Sequence, residues 1–370
     1  MDFEIWNARR PTDNARWRAV HDAWRHREVF AHPSYVGLFA GPDDVPMAAY
    51  AATDHGFVLY PFVLRPVDAT HLRAAAGRPL RDITSAYGYG GPFHSDIDEV
   101  AAKNFWSRFD DFCRGQGVVT EFVRIPVLRH HLLPYPGQVE PKLTNVVRDL
   151  TTPPGVMWYE FEHKVRKNVK RARQRGVTVE VDEHGAHLDD FLRIYHGTMR
   201  RRAADAAYHF PRHMFERLGQ ELPGQFVFFH ARHGGEIVST ELVLVSADHI
   251  YSYLGGTVAA AFDVRPNDLL KFAIIEWGRQ HGKTSFVLGG GYTPDDGIVR
   301  YKRSFAPTGL VPYSVGSRVL DKPAYERLVR AHRAEGRRRD PTWSPDEGYF
   351  PAYRSPLPPS TAPAGIEIGM

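Results

Sequence analysis

The chain has 370 residues, 43% of them hydrophobic and 12% aromatic, with a formal charge of +4 and a pI near 9.0. A single core stops growing at roughly 250–300 residues, so two modules are expected. No run of about 18 apolar residues offers a membrane span, MDFEIWNARRPTDNARW has no apolar leader, and a lone cysteine, Cys113, excludes an internal disulfide or a cysteine-rich metal site; a cytoplasmic protein, monomeric if anything, is expected.

The first 150 residues mix helix and strand signals. FEIW reads as a strand, and residues 13–27 place Trp17, Val20 and Trp24 at helical spacing. The apolar runs MAAYAAT and FVLYPFVL flank Asp54–Gly56, a hairpin signal. YGYGGPF, Tyr87–Phe93, packs three glycines among aromatics and a proline, a tight loop where backbone can approach a ligand closely. Its spacing is not that of a dinucleotide-binding turn. A helix over 97–116, with Val100, Phe105, Phe109 and Phe112 on one side, closes at Gly117, and TEFVRI follows as a strand.

The segment FEHKVRKNVKRARQRG, 161–176, sets seven Lys/Arg residues against one acid, Glu162. As a helix it aligns Phe161, Val165, Val169 and Ala172 in one apolar stripe, so it docks on a core and shows its charge outward. Cations without acidic partners at i,i+4 repel one another, which points to a phosphate-bearing partner. No helix-turn-helix, zinc-finger or RNP pattern accompanies it.

Residues 187–201 read as a helix with Leu188, Phe191, Leu192, Tyr195 and Met199 on one face. FVFFHAR and EIVSTELVLV flank a second Gly-rich hairpin, HIYSYLG adds a strand, a helix opens near Pro266, and SFVLGG follows Gly282. Helix, Arg114, Gly117 and TEFVRI are thus repeated as helix, Arg279, Gly282 and SFVLGG, two copies of one α/β module. LGGGYTPDDGIVRYKRSF, 288–305, runs from a strand into a triple glycine and a long loop, a usual place for a substrate. Lys302 there is a candidate oxyanion donor. Residues 322–339 form a basic helix, and the Pro-rich segment beyond 340 is expected to be extended or disordered.

Other chemistries lack their motifs: there is no GxxxxGK[ST], HExxH or GxSxG, and the nineteen histidines are scattered, so no metal is expected.

Four pieces in order resemble the FemABX aminoacyltransferases. Lys164, Arg166, Val169, Arg171 and Ala172 followed by Gly176, Val177 and Val179 match the family's basic helix and G-V-x-V strand. YSYLGGT with Pro266, Leu269, Leu270 and Trp277 is similar to the next strand and helix. IVRYKRSF matches L-x-x-[FY]-K-x-x-F through Ile298, Tyr301, Lys302 and Phe305, and YGYGGP with EFVRI resembles the N-terminal module.

The resemblance implies two tandem GNAT-like modules, each a mixed sheet flanked by helices. Their expected bounds are 1–150 and 151–315, followed by a basic helix (316–340) that packs back on the first module and a tail (341–370). It implies transfer of an amino acid from aminoacyl-tRNA to an amine without a cofactor. Lys302 would stabilise the tetrahedral intermediate beside Tyr301, and Asp96 or His94 would take the proton, although the family's acid does not align there. Substrates would meet Tyr87, Tyr89, Gly90, Gly91, Tyr253, Gly255, Gly256, Thr257, Gly290, Gly291 and Tyr292. The tRNA phosphates would meet Lys164, Arg166, Lys167, Lys170, Arg171 and Arg173.

Two departures shape the expected acceptor. PSYVGLFAG has no lysine where cell-wall members carry a phosphate-binding one, so a small-molecule amine of antibiotic type is favoured over a peptidoglycan precursor. No helical arm follows Gly176. The rival donor, an acyl-CoA, would want [RQ]-x-x-G-x-[GA] before a helix, and AAFDVRPNDLL lacks those glycines.

Overall fold

The computed structural model describes residues 1–291, 293 and 296–359. The first module comprises β1 (Asp2–Asn7), α1 (Pro11–Ala23), α2 (Pro33–Leu38), the hairpin β2 (Val45–Ala52) and β3 (Phe57–Pro66), α3 (Thr70–Ala76), β4 (Arg81–Thr84), β5 (Phe93–Ser95), α4 (Glu99–Gly115) and β6 (Val118–Ile125). After β7 (Gln138–Asp149) and α5 (Pro154–Glu160), the second module repeats the order. It has α6 (His163–Gln174), β8 (Thr178–Asp182), α7 (Leu188–Arg201), α8 (Arg212–Glu221), the hairpin β9 (Phe226–His233) and β10 (Glu236–Val245), and β11 (His249–Thr257). Then come α9 (Pro266–Gln280), β12 (Ser285–Gly289), α10 (Gly297–Arg303), β13 (Leu310–Val319) and α11 (Lys322–Arg339).

The repeat holds in register. In both modules the first strands are antiparallel, and the fourth and fifth are parallel: β4 with β6, and β11 with β12. The glycines that close α4 and α9 are alike too. Gly117 (φ 66°) and Gly282 (φ 67°) both take the left-handed turn that ends a helix without Cβ strain.

One continuous sheet runs β1-β2-β3-β4-β6-β13-β7-β12-β11-β10-β9-β8, with β5 on β3. Its centre is an exchange. β7 follows β6 in the chain but pairs with β12, whereas β13 follows β12 but pairs with β6, and β7 pairs with β13. Chain order and sheet order therefore part here, and β13 straddles the boundary expected at 315/316. The exchange removes two sheet edges that would otherwise carry unpaired backbone groups.

Apolar residues fill both faces. Trp6, Trp17, Tyr35, Phe191 and Tyr251 belong to a cluster shared by the two modules. The stripe Phe161, Val165, Val169 and Ala172 is buried against α9 residues Leu269, Leu270 and Ile274 in a second cluster. In α4, Phe105 and Phe109 are buried as expected, but Val100 is 68% exposed, because at 3.6 residues per turn it lies about 140° around the helix from Phe105.

The Pro-rich segment is not loose over its described part. Tyr353 is fully buried, its hydroxyl meeting Thr120 at 2.7 Å and Asp82 at 3.1 Å, while Arg354 pairs with Asp82 at 2.5 Å. One aromatic and one cation suffice to dock a segment that has no periodicity and forms no α-helix or strand over its described part. Residues 360–370 lie outside the described part. α11 packs on α3 and on β6, with Ala324 and Leu328 buried. Among the described residues no helix is long and apolar enough to cross a membrane.

Candidate active site

Parallel strands diverge once their ladder ends, and in the second module β11 and β12 pair only over His249–Tyr251 and Ser285–Val287. Beyond that point a cavity of about 1010 Å³ opens. It is lined from both sides of the sheet. Tyr253 and Met199 belong to the cluster between the modules, and Tyr301 to the cluster beneath α6 and α9.

Lys302 stands at the divergence. The segment read as loop is here the short helix α10, capped by Asp296, whose carboxylate accepts from the Ile298 and Val299 amides at 2.9 and 2.8 Å. This turns the Lys302 ammonium toward the glycine turn, where it donates to the Gly290 carbonyl at 2.6 Å. Burial, and then the neighbouring Lys271, push its pKa down to about 8 against the opposing pull of Glu241 and Asp296. A Cβ on Gly289 (φ 79°) would sit 3.2 Å from that ammonium. Tyr301 donates to the Asn267 carbonyl at 3.2 Å and packs into the core, so its hydroxyl ties α10 to α9.

Behind Lys302 lies a buried ion pair the sequence reading missed. Lys271 on α9 donates to both oxygens of Glu241 on β10, at 2.5 and 2.6 Å, and to Ser252 at 3.1 Å. Its signal was present: each is the lone charge in an apolar run, LLKFAII (269–275) and IVSTELVLV (237–245). Asp268 is also buried at the cavity wall, held by Asn168 of α6 at 3.2 Å, and burial raises its pKa.

The proposed substrate residues divide. Tyr253, Gly255, Gly256 and Thr257 line the cavity with Lys302. The two glycines also answer a packing need, since a Cβ on Gly255 would lie 2.5 Å from the Thr240 carbonyl and one on Gly256 would overlap Thr198. Gly291 packs on the Asp296 carboxylate; Tyr292 lies outside the described residues. Tyr89 is buried, and its hydroxyl accepts from Asn145 of β7 at 2.6 Å. Gly90 and Gly91 are buried too, the first against Ser85, so their close approach is to the protein itself. Tyr87 is partly exposed, and its ring lies 5.8 Å from that of Tyr253.

His94 and Asp96 are not brought to this cavity. They lie at β5, which pairs with the start of β3, and neither lines the cavity at Lys302. His94 instead donates its backbone N–H to the His131 carbonyl at 2.9 Å, and Asp96 is exposed and accepts from Ser95. Sequence proximity to YGYGGP carried that reading, but the chain turns away after Pro92.

On α6, Lys164 and Asn168 line the cavity itself. Lys167, Lys170 and Arg173 are exposed, and Arg166 and Arg171 are partly covered. Arg166 is engaged with the Tyr159 and Phe161 carbonyls, and Arg173 lies over the Phe272 ring at 5.1 Å. Among the described residues one group, His21, Asp22 and His32, brings possible metal-ligand atoms within 4.8 Å of one another; it sits at α1 and α2, outside this cavity.

Residues 160–303 match the family described as acetyltransferase (GNAT) domain. The crystal structure of FemX is similar over 88% of this chain and 99% of its own, at 12% identity and a TM-score of 0.63. Structures of a putative lysylphosphatidylglycerol synthetase and of a protein described as L-PGS are similar as well. The C-terminal domain of the putative enzyme from Agrobacterium fabrum has 16% identity, 82% and 92% coverage and a TM-score of 0.52. The structure of L-PGS from Bacillus licheniformis has 13% identity, 87% and 96% coverage and a TM-score of 0.52. No curated protein sequence matches. The fold is FemX-like, two α/β modules in one sheet, and the second module matches a GNAT acetyltransferase domain.

Proposed function

We propose that this protein is an aminoacyl-tRNA-dependent aminoacyltransferase, acting in the cytoplasm without a cofactor, that joins an amino acid to the amine of a small molecule. The observation that carries the reading is the half-buried Lys302 ammonium, fixed on Gly290 at the strand divergence, in one cavity with Lys164 of the basic helix.

An aminoacyl ester is already activated, so no protein nucleophile is required. The amine nitrogen bonds to the ester carbonyl carbon, the bond to the ribose oxygen breaks, and the proton released by the amine is balanced by the one the ribose oxygen takes up. Charge develops on the carbonyl oxygen between these events, and Lys302 is the donor placed for it. One such donor contributes about 3–4 kcal/mol to the barrier, and holding the reactants together contributes about 7–11 kcal/mol in well-oriented cases.

The cavity favours this donor over acyl-CoA. CoA-binding sites use a helix start to hold pyrophosphate, but here α9 begins with Pro266, which has no N–H, and carries the buried Asp268 in its first turn. A carboxylate there occupies the position of an anion and repels another. The test is direct: purified protein with mixed charged tRNAs, acyl-CoAs and candidate amines, with and without RNase. Product that survives RNase and needs acyl-CoA would overturn the reading.

A further inference from the structure

Where Tyr208 and Tyr253 line the cavity, they belong to a larger cluster of rings. Tyr87, from the loop after β4, lies 5.5 Å from Phe210, 5.8 Å from Phe39, 5.8 Å from Tyr253 and 6.4 Å from Tyr208. These five side chains come from four separate places in the chain and belong to both modules. All are only partly buried, whereas rings of the neighbouring core such as Tyr35 and Phe191 are covered completely. Tyr208 and Tyr253 are walls of the Lys302 cavity. Rings left half-covered in an edge-to-face array offer flat faces to a further ring.

Charge narrows the guest. The cavity lining holds six cationic side chains against four carboxylates, which disfavours a cation held by the rings and favours an amine that enters neutral. Lys164 and Asn168 of the basic α6 line the same cavity, so a polyanionic donor and a ring-bearing acceptor can meet at Lys302.

We propose that Tyr87, Phe210, Phe39 and Tyr253 form the acceptor subsite, and that the acceptor amine is carried on an aromatic ring system. This rests on the acyl-transfer reading of the cavity.

The probes are 2-phenylethanol and 2-cyclohexylethanol, neutral stand-ins for the uncharged amine that share chain and polar group and differ in ring character, titrated calorimetrically into the full chain without donor. The aromatic probe is expected to bind roughly tenfold tighter, as one to two ring contacts would give. Tyr87→Leu with Phe210→Leu erases that preference, while Tyr87→Phe and Lys302→Ala keep it; where the double variant melts, Phe210→Leu alone is read. Equal binding, no binding of either probe, or a preference that survives loss of the rings overturns the proposal. A preference without tRNA-dependent transfer would overturn the function proposed above and leave the subsite standing; transfer without a preference would do the reverse.

Discussion

The Lys302 ammonium donates to the Gly290 carbonyl at 2.6 Å, and Gly290 itself has no room for a side chain, because a Cβ there would overlap Asn145 Oδ1 and lie 2.8 Å from the Thr144 carbonyl. The lysine is thus aimed by a turn that β7 holds from behind. Lys302→Ala is expected to lower kcat about 10²–10³-fold with the melting temperature little changed. Gly290→Ala keeps the lysine but displaces the carbonyl, and should lose a substantial part of the same rate. Full activity in both variants would remove Lys302 from the reaction.

The pH profile separates two roles for this lysine. Burial brings its pKa down to about 8. As an oxyanion donor it must be charged, so transfer should be flat below that value and fall as pH rises through it. As a general base it must be neutral, and the rate would rise across the same interval. Single-turnover rates from pH 6 to 9.5, with the spontaneous loss of the aminoacyl ester subtracted, decide between them.

The repeat, the docked basic helix and Lys302 were legible in the sequence because each is written locally, as apolar spacing, a closing glycine or a short motif. The β7–β13 exchange was not, since pairing partners separated by more than 160 residues leave no local trace. The same limit explains His94 and Asp96. They stand next to YGYGGP in the chain, yet β5 pairs back toward the β2–β3 turn. Asn145, Asp268 and the Glu241–Lys271 pair entered the site only through the fold, although the isolated charges in apolar runs were a usable clue.

Docking of the C-terminal segment should be measurable as stability. Tyr353→Phe removes two hydroxyl bonds, to Thr120 and Asp82, and is expected to cost about 1–2 kcal/mol. Ending the chain at residue 340 should cost more, because Asp82, buried completely, would keep only Arg65 at 2.7 Å. Urea titrations of both variants against the full chain check this, and coincident midpoints would mean the segment contributes nothing.

On α6 the exposed Lys167 and Lys170 are the residues to reverse, since Arg166 is spent on backbone carbonyls. Lys167→Glu with Lys170→Glu should weaken tRNA binding and reduce the slope of log K against log salt by about one to two. The apolar stripe is untouched, so the fold should not change. Unaltered tRNA affinity combined with weaker acceptor binding would make the helix an acceptor-phosphate site.

Glu28 provides a prediction independent of catalysis. The segment before α2 docks on the β10–β11 turn, with the Val29 amide donating to Ser246 Oγ at 2.9 Å and the Ala247 amide to the Arg27 carbonyl at 2.9 Å. Glu28 is carried into this junction, accepts from the Tyr251 hydroxyl at 2.8 Å, and has its pKa pushed up from 4.5 to about 7, chiefly by burial. The folded chain therefore holds a proton that the unfolded chain gives up near pH 4.5. Its stabilising effect is complete below that value and is lost as pH rises through about 7. Glu28→Gln still accepts from Tyr251 but never ionises, so it should be more stable than the wild type at pH 8, by up to about 3 kcal/mol, and no more stable at pH 4. Denaturant titrations at the two pH values measure the difference. An equal gap at both would mean that Glu28 ionises as freely in the folded chain as in the unfolded one, and that Tyr251 and Ser246 hold it as a carboxylate.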